Sequence, residues 1–184
     1  VLLEDATLPA EMAWVPPGMT IVTSMFLHGG WGHLLGNMLY LWIFGNNIED
    51  SMGHVRYILF YLLCGAAAVF AQAMPDPGSE IPMVGASGAI SGILGAYVLL
   101  HPHAKVIVLI PLGFVLQTMQ LRAVWVLGLW FAMQMLSSLL TSSTGGGVAF
   151  GAHIGGFIAG MVLIPLFKYR HIPLQNPFGS HHGE

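Results

Sequence analysis

Residues 123–167 read AVWVLGLWFAMQMLSSLLTSSTGGGVAFGAHIGGFIAGMVLIPLF, a run with no Asp, Glu, Lys or Arg. A membrane-spanning helix needs about 20 mostly apolar residues, so this run is long enough for two. The polar, glycine-rich stretch Thr141-Ser142-Ser143-Thr144-Gly145-Gly146-Gly147 divides it, which predicts helices near 123–140 and 149–167.

The same pattern extends through the chain. Other charge-free segments are 12–48, 57–75, 81–104 and 106–121. Segment 57–75 supplies one helix, ended by Pro75-Asp76-Pro77-Gly78. Segment 81–104 supplies another, from about Val84 to Leu100, stopped by His101-Pro102. In segment 12–48 the first part is rich in Pro and Gly, and the apolar run Trp31 to Ile48 is a further crossing. Segment 106–121 is short and contains Pro111-Leu112-Gly113, so it reads as an interfacial or loop segment. The expectation is an all-α polytopic membrane protein with five crossings.

Composition agrees. Of 184 residues, 5 are Lys or Arg and 8 are Asp or Glu, so 7% are charged, while 55% are hydrophobic. A soluble domain carries roughly 25% charged residues. The mean hydropathy is +0.75. A nucleic-acid-binding module is excluded because no basic patch exists to neutralise phosphates. Disorder is excluded because disordered chains are poor in apolar residues. The single cysteine, Cys64, excludes a disulfide framework and a Cys-based zinc site, and reads as a buried small apolar group.

The basic residues set a topology. Arg56 follows the first crossing, Lys105 and Arg122 follow the third, and Lys168 and Arg170 follow the fifth. All five fall on one side, which the positive-inside rule makes cytoplasmic. An outer N-terminus is then required, yet the chain opens Val1-Leu2-Leu3-Glu4 without a signal-peptide pattern. The expectation is a chain lacking an upstream crossing, five visible helices of six. Its parts would be an outer loop segment at 1–30, a transmembrane domain at 31–168 and a loose cytoplasmic tail at 169–184.

Polar groups inside a membrane are costly, which marks them as functional candidates. The first crossing carries His33 and Asn37, four residues apart and so on one helical face. The third carries Ser87, within Gly85-Ala86-Ser87-Gly88, and then Ser91. The fifth carries His153. These helices share a direction, so Ser87 and His153 are expected at matching depth, roughly 5–8 Å inside their helix starts. Small residues recur at spacing four in Gly88, Gly92 and Ala96, and again in Ala152, Gly156 and Gly160. Such stripes allow close approach of membrane helices. Docking them would bring Ser87 and His153 to hydrogen-bond distance, the geometry of an activated nucleophile. Taken singly, each feature has a plainer reading: serine or asparagine as an interhelical tie, histidine bonded to a carbonyl or to a metal, and small residues as packing.

Three blocks, His28-Gly-Gly-Trp-Gly-His33-Leu-Leu-Gly-Asn37, Gly85-Ala-Ser87-Gly88 and Ala152-His153-Ile-Gly-Gly156-Phe-Ile-Ala-Gly160, resemble the rhomboid family of intramembrane serine proteases in order and spacing. The resemblance, of bacterial type, covers roughly residues 20–168. It implies a Ser–His dyad with Ser87 as nucleophile and His153 as general base. It implies an oxyanion hole lined by His33, Asn37 and the backbone N–H of Ser87. His28, Gly85, Gly88, Gly156 and Gly160 are supporting positions, and Glu49 and Gly53 form a structural turn. Two positions depart from the pattern. Ser91 stands where many members carry an aromatic residue against the catalytic histidine, and Trp14 is followed by Val15 rather than by Arg.

The resemblance implies cleavage of peptide bonds in or near transmembrane helices of other proteins, with no cofactor and no metal. The partners are transmembrane substrates and the lipid bilayer, with no nucleic acid. The active site would face outward from a bacterial plasma membrane, and the Gly145–Gly147 loop would cap it. A metalloprotease would want His-Glu-x-x-His, and no Glu lies within a crossing. An aspartyl protease would need two membrane aspartates. The alternative is a catalytically silent member that binds membrane clients as a chaperone or adaptor. A transporter would want charged or unwound elements along a through-path, and the inner halves of these helices are apolar.

Overall fold

The computed structural model describes residues 16–75, 77–78, 83–112, 115–140 and 149–175. Its elements run α1 (Pro17–Thr23), a 3-10 turn (Ser24–Phe26), α2 (Trp31–Tyr40), a π-helical segment (Leu41–Gly45), α3 (Asn46–Met52), α4 (His54–Ala73), α5 (Ser87–Leu100), strands β1 (Lys105–Leu112) and β2 (Val115–Arg122), α6 (Ala123–Leu140) and α7 (Phe150–Phe167).

Among the described residues three helices are long and apolar enough to cross a membrane. They are α4, α6 and α7, with mean hydropathies of 1.6, 1.7 and 1.8. Five were expected, and the two shortfalls have separate causes. The run from Trp31 to Ile48 forms one helix of 10 residues, then widens into a π-helical segment before α3. The helix expected from Val84 begins at Ser87, because Gly85 at φ 117° cannot be part of a right-handed helix. At 14 residues, α5 is about 21 Å long against a hydrocarbon core of about 30 Å.

Segment 105–122 also departs from expectation, forming an antiparallel hairpin in register from Lys105↔Arg122 to Leu112↔Val115. Its first strand, KVIVLIPL, is apolar at every position after Lys105, so the period-2 alternation that identifies a half-buried strand is absent. Ile107 and Leu109 are exposed, and the hairpin's only charged residues pair at its base.

Helix α5 is the centre of the bundle. Its residues from Ala89 to Tyr97 are all buried, which fits a helix apolar on every face. Helix α7 packs on two neighbours through different small residues. A Cβ at Gly156 would collide with the Gly88 carbonyl of α5, and one at Gly160 with the backbone of Gly92. On the adjoining face a Cβ at Gly155 would meet Ala71 of α4. The outward faces carry exposed apolar side chains, such as Leu59 and Leu63 on α4 and Ile158 and Val162 on α7. In lipid these surfaces are solvated, and close van der Waals packing holds the helices together.

The basic end is tied by one local contact and several between distant segments. Glu49 bonds His54 across Gly53, which adopts φ 84°. Tyr169 donates its N–H to the Ser51 carbonyl at 2.8 Å, and Arg56 lies over the Tyr169 ring at 5.3 Å. The Gln175 N–H reaches the Leu99 carbonyl at 2.7 Å. Trp14, the Gly145–Gly147 loop and residues 176–184 lie outside the described residues.

Candidate active site

Ser87 is the first residue of α5, shallower than the one to one-and-a-half turns expected. As the opening residue its N–H is among those a helix leaves without an intrahelical partner. His153 is the fourth residue of α7, about 4–5 Å along the helix. The glycine contacts between α5 and α7 hold these two ends side by side. The Ser87 Oγ lies 2.9 Å from His153 Nε2, and His153 is only 9% exposed. Two residues 66 apart in sequence thus meet in one hydrogen bond.

Gly85 supports this placement twice. Its positive φ ends the preceding loop two residues before the serine, and a Cβ there would lie 2.6 Å from the His33 ring. The Gly85 N–H donates to the Ser24 carbonyl at 2.9 Å, tying the loop to the 3-10 turn. At Gly88 and Gly156 the two helices pack backbone against backbone, with no room for a Cβ on Gly156.

His33 and Asn37 reach the same region from α2. The Asn37 Nδ2 would lie 3.7 Å from a Gly85 Cβ, and it is a buried donor without a partner among the described residues. His33 is exposed, with its Nδ1 accepting the Gly29 N–H at 3.4 Å. His28 packs edge-on against the His33 ring at 5.2 Å, and its Nε2 is likewise buried and unpartnered among the described residues.

Three contributions escaped the sequence reading. Gln134 of α6 places Oε1 2.7 Å from His153 Nδ1. Trp130, one turn earlier on the same face, sets its ring 5.8 Å from the imidazole. Trp130 thus supplies an aromatic neighbour that position 91 lacks. Ser91 instead donates its hydroxyl to the Ser87 carbonyl at 2.6 Å. Gln72 of α4 accepts the Ala152 N–H at 3.1 Å, capping α7 one residue before His153. The signal for both glutamines was present: each is a lone amide in an apolar run, which deserves the same scrutiny as an intramembrane histidine.

The family model described as the rhomboid domain matches residues 17–170. Rhomboid-like protein 11, chloroplastic, of Arabidopsis thaliana is 31% identical over 157 residues, 83% of this chain and 54% of its own. Rhomboid protein 1, mitochondrial, of Saccharomyces cerevisiae is 30% identical over 158 residues, 81% of this chain and 42% of its own. Rhomboid protease GluP of Bacillus subtilis is 35% identical over 123 residues, 60% of this chain and 23% of its own. The chain therefore spans about half or less of the length of these relatives.

Proposed function

The chain belongs to the rhomboid family, and on that premise we propose that it is an intramembrane serine endopeptidase acting through a Ser87–His153 dyad. The observation that carries this reading is the 2.9 Å contact between Ser87 Oγ and His153 Nε2. A serine hydroxyl becomes nucleophilic when a base takes its proton, and neutral imidazole is the usual base near pH 7.

In the proposed reaction Ser87 Oγ attacks the scissile carbonyl carbon while its proton passes to His153 Nε2. Negative charge collects on the carbonyl oxygen of the tetrahedral intermediate. The Asn37 Nδ2, unpartnered among the described residues, and the Ser87 N–H at the start of α5 supply donors for it, with His33 alongside. His153 then gives its proton to the leaving amine nitrogen as the C–N bond breaks. Water, deprotonated in turn by His153, hydrolyses the ester on Ser87 and restores the hydroxyl.

The substrates in this reading are transmembrane helices of other proteins, cleaved in or near the bilayer. The chain is a multi-pass membrane protein. The clustering of Arg56, Lys105, Arg122, Lys168 and Arg170 at one end of the helices supports an active site open to the opposite, outer face of a bacterial plasma membrane. The formed hydrogen bond disfavours a silent client-binding member, which has no use for a serine aligned on a histidine.

The test is cleavage of a single-pass substrate in proteoliposomes. Wild type should cut, and Ser87→Ala and His153→Ala should not. Undiminished cutting by Ser87→Ala overturns the assignment.

A further inference from the structure

We propose that Gln134 is the positioning residue of this site, holding His153 in the tautomer that carries its hydrogen on Nδ1 and so leaving Nε2 free to accept the Ser87 proton. The inference deepens the reading of His153 as general base and rests on it.

The chemistry follows from one 2.7 Å contact. The Gln134 Oε1 is a carbonyl oxygen with no hydrogen, so it can only accept. Nδ1 must then be the donor. A neutral imidazole has one N–H, so Nε2 carries a lone pair, directed at the Ser87 hydroxyl 2.9 Å away. The opposite tautomer would point an N–H at Ser87 Oγ and could not act as a base. It would also leave the Gln134 oxygen facing a lone pair. With His153 only 9% exposed, bulk water does not replace that acceptor.

Geometry on α6 adds a second restraint. Trp130 and Gln134 are four residues apart, so one helical face presents both to His153. The indole, at 5.8 Å and 37° to the imidazole, limits how the ring tilts, while the amide fixes its rotation about the side-chain axis. A carboxylate would do the same and also stabilise the imidazolium. Gln134 is neutral, so its contribution is orientation and tautomer rather than charge, at no cost of burying an anion in the bilayer.

The test compares wild type with Gln134→Met, similar in length without a carbonyl oxygen, and Gln134→Glu, which keeps an acceptor oxygen in place. In proteoliposomes Gln134→Met should lose kcat about 10- to 100-fold, the loss of one buried hydrogen bond expressed as a rate, with KM unchanged. Gln134→Glu should recover most of it. Wild-type kcat in Gln134→Met overturns the proposal, and so does failure of Gln134→Glu to rescue. A second readout is independent of turnover: nitrogen-15 NMR of labelled histidine in the wild-type protein should show His153 protonated at Nδ1. A signal for the Nε2–H tautomer overturns the proposal even if the enzyme is active. An inactive wild type with the Nδ1–H signal would instead count against the protease reading and leave the Gln134 contact standing.

Discussion

Gly156 of α7 lies against the carbonyl of Gly88 in α5 so closely that a methyl group on Gly156 would collide with that oxygen. Gly88 follows Ser87, and Gly156 lies three residues after His153. The close packing of the two helices and the approach of the two polar side chains are therefore one feature. Replacing Gly156 with Leu should push the helices apart, cost about 1–3 kcal/mol of stability and abolish cleavage. Thermal unfolding in detergent, run beside the cleavage assay, checks both effects. Wild-type values in both would mean that α5 and α7 do not meet through these glycines.

Asn37 holds a buried amide donor without a partner among the described residues. If that donor serves the oxyanion, Asn37→Ala should lower kcat about 100- to 1,000-fold and leave KM nearly unchanged. Steady-state kinetics on a transmembrane substrate separate the two constants. A change confined to KM would assign Asn37 to substrate binding instead.

Gln72 caps α7 from the neighbouring helix α4. Gln72→Met removes the acceptor for the Ala152 N–H and should cost about 1 kcal/mol. The loss should appear as a lower Tm and a smaller fall in activity than Gln134→Met gives. Equal or greater loss of kcat at unchanged Tm would contradict a purely structural role.

His101, just beyond α5, lies against the Tyr97 ring at 5.0 Å and beside Asn47. Burial pulls its pKa below the ordinary imidazole value, with a smaller opposing effect from a backbone hydrogen bond at Asn47. The unfolded chain then takes up a proton near pH 6.5 that the folded chain refuses. Its contribution to stability is level above that pH and falls as pH drops through it. Tm measured from pH 7.5 to 5.5 should decline less steeply in His101→Gln than in wild type. Parallel declines would show that His101 does not contribute.

Much of this was legible in the residues. Charge-free runs gave α4, α6 and α7 to within a few residues, because an apolar bilayer demands apolar sequence. The spacing of Gly88 with Gly92, and of Gly156 with Gly160, gave the α5–α7 contact and hence the meeting of Ser87 with His153. What failed has physical causes. The strand at 105–112 is apolar on both faces, so no period marks it. The late start of α5 depends on the backbone angle of Gly85. Gln134 faces His153 only because α6 packs beside α7, a pairing that spacing within α6 alone does not specify.

In the proposed reaction Ser87, activated by His153, is the nucleophile. A fluorophosphonate probe reports it directly, since it bonds covalently only to an activated serine. Mass spectrometry of the labelled protein in bilayers should find one adduct, on Ser87, absent in both Ser87→Ala and His153→Ala. An adduct on Ser91, or labelling that persists without His153, would contradict that assignment.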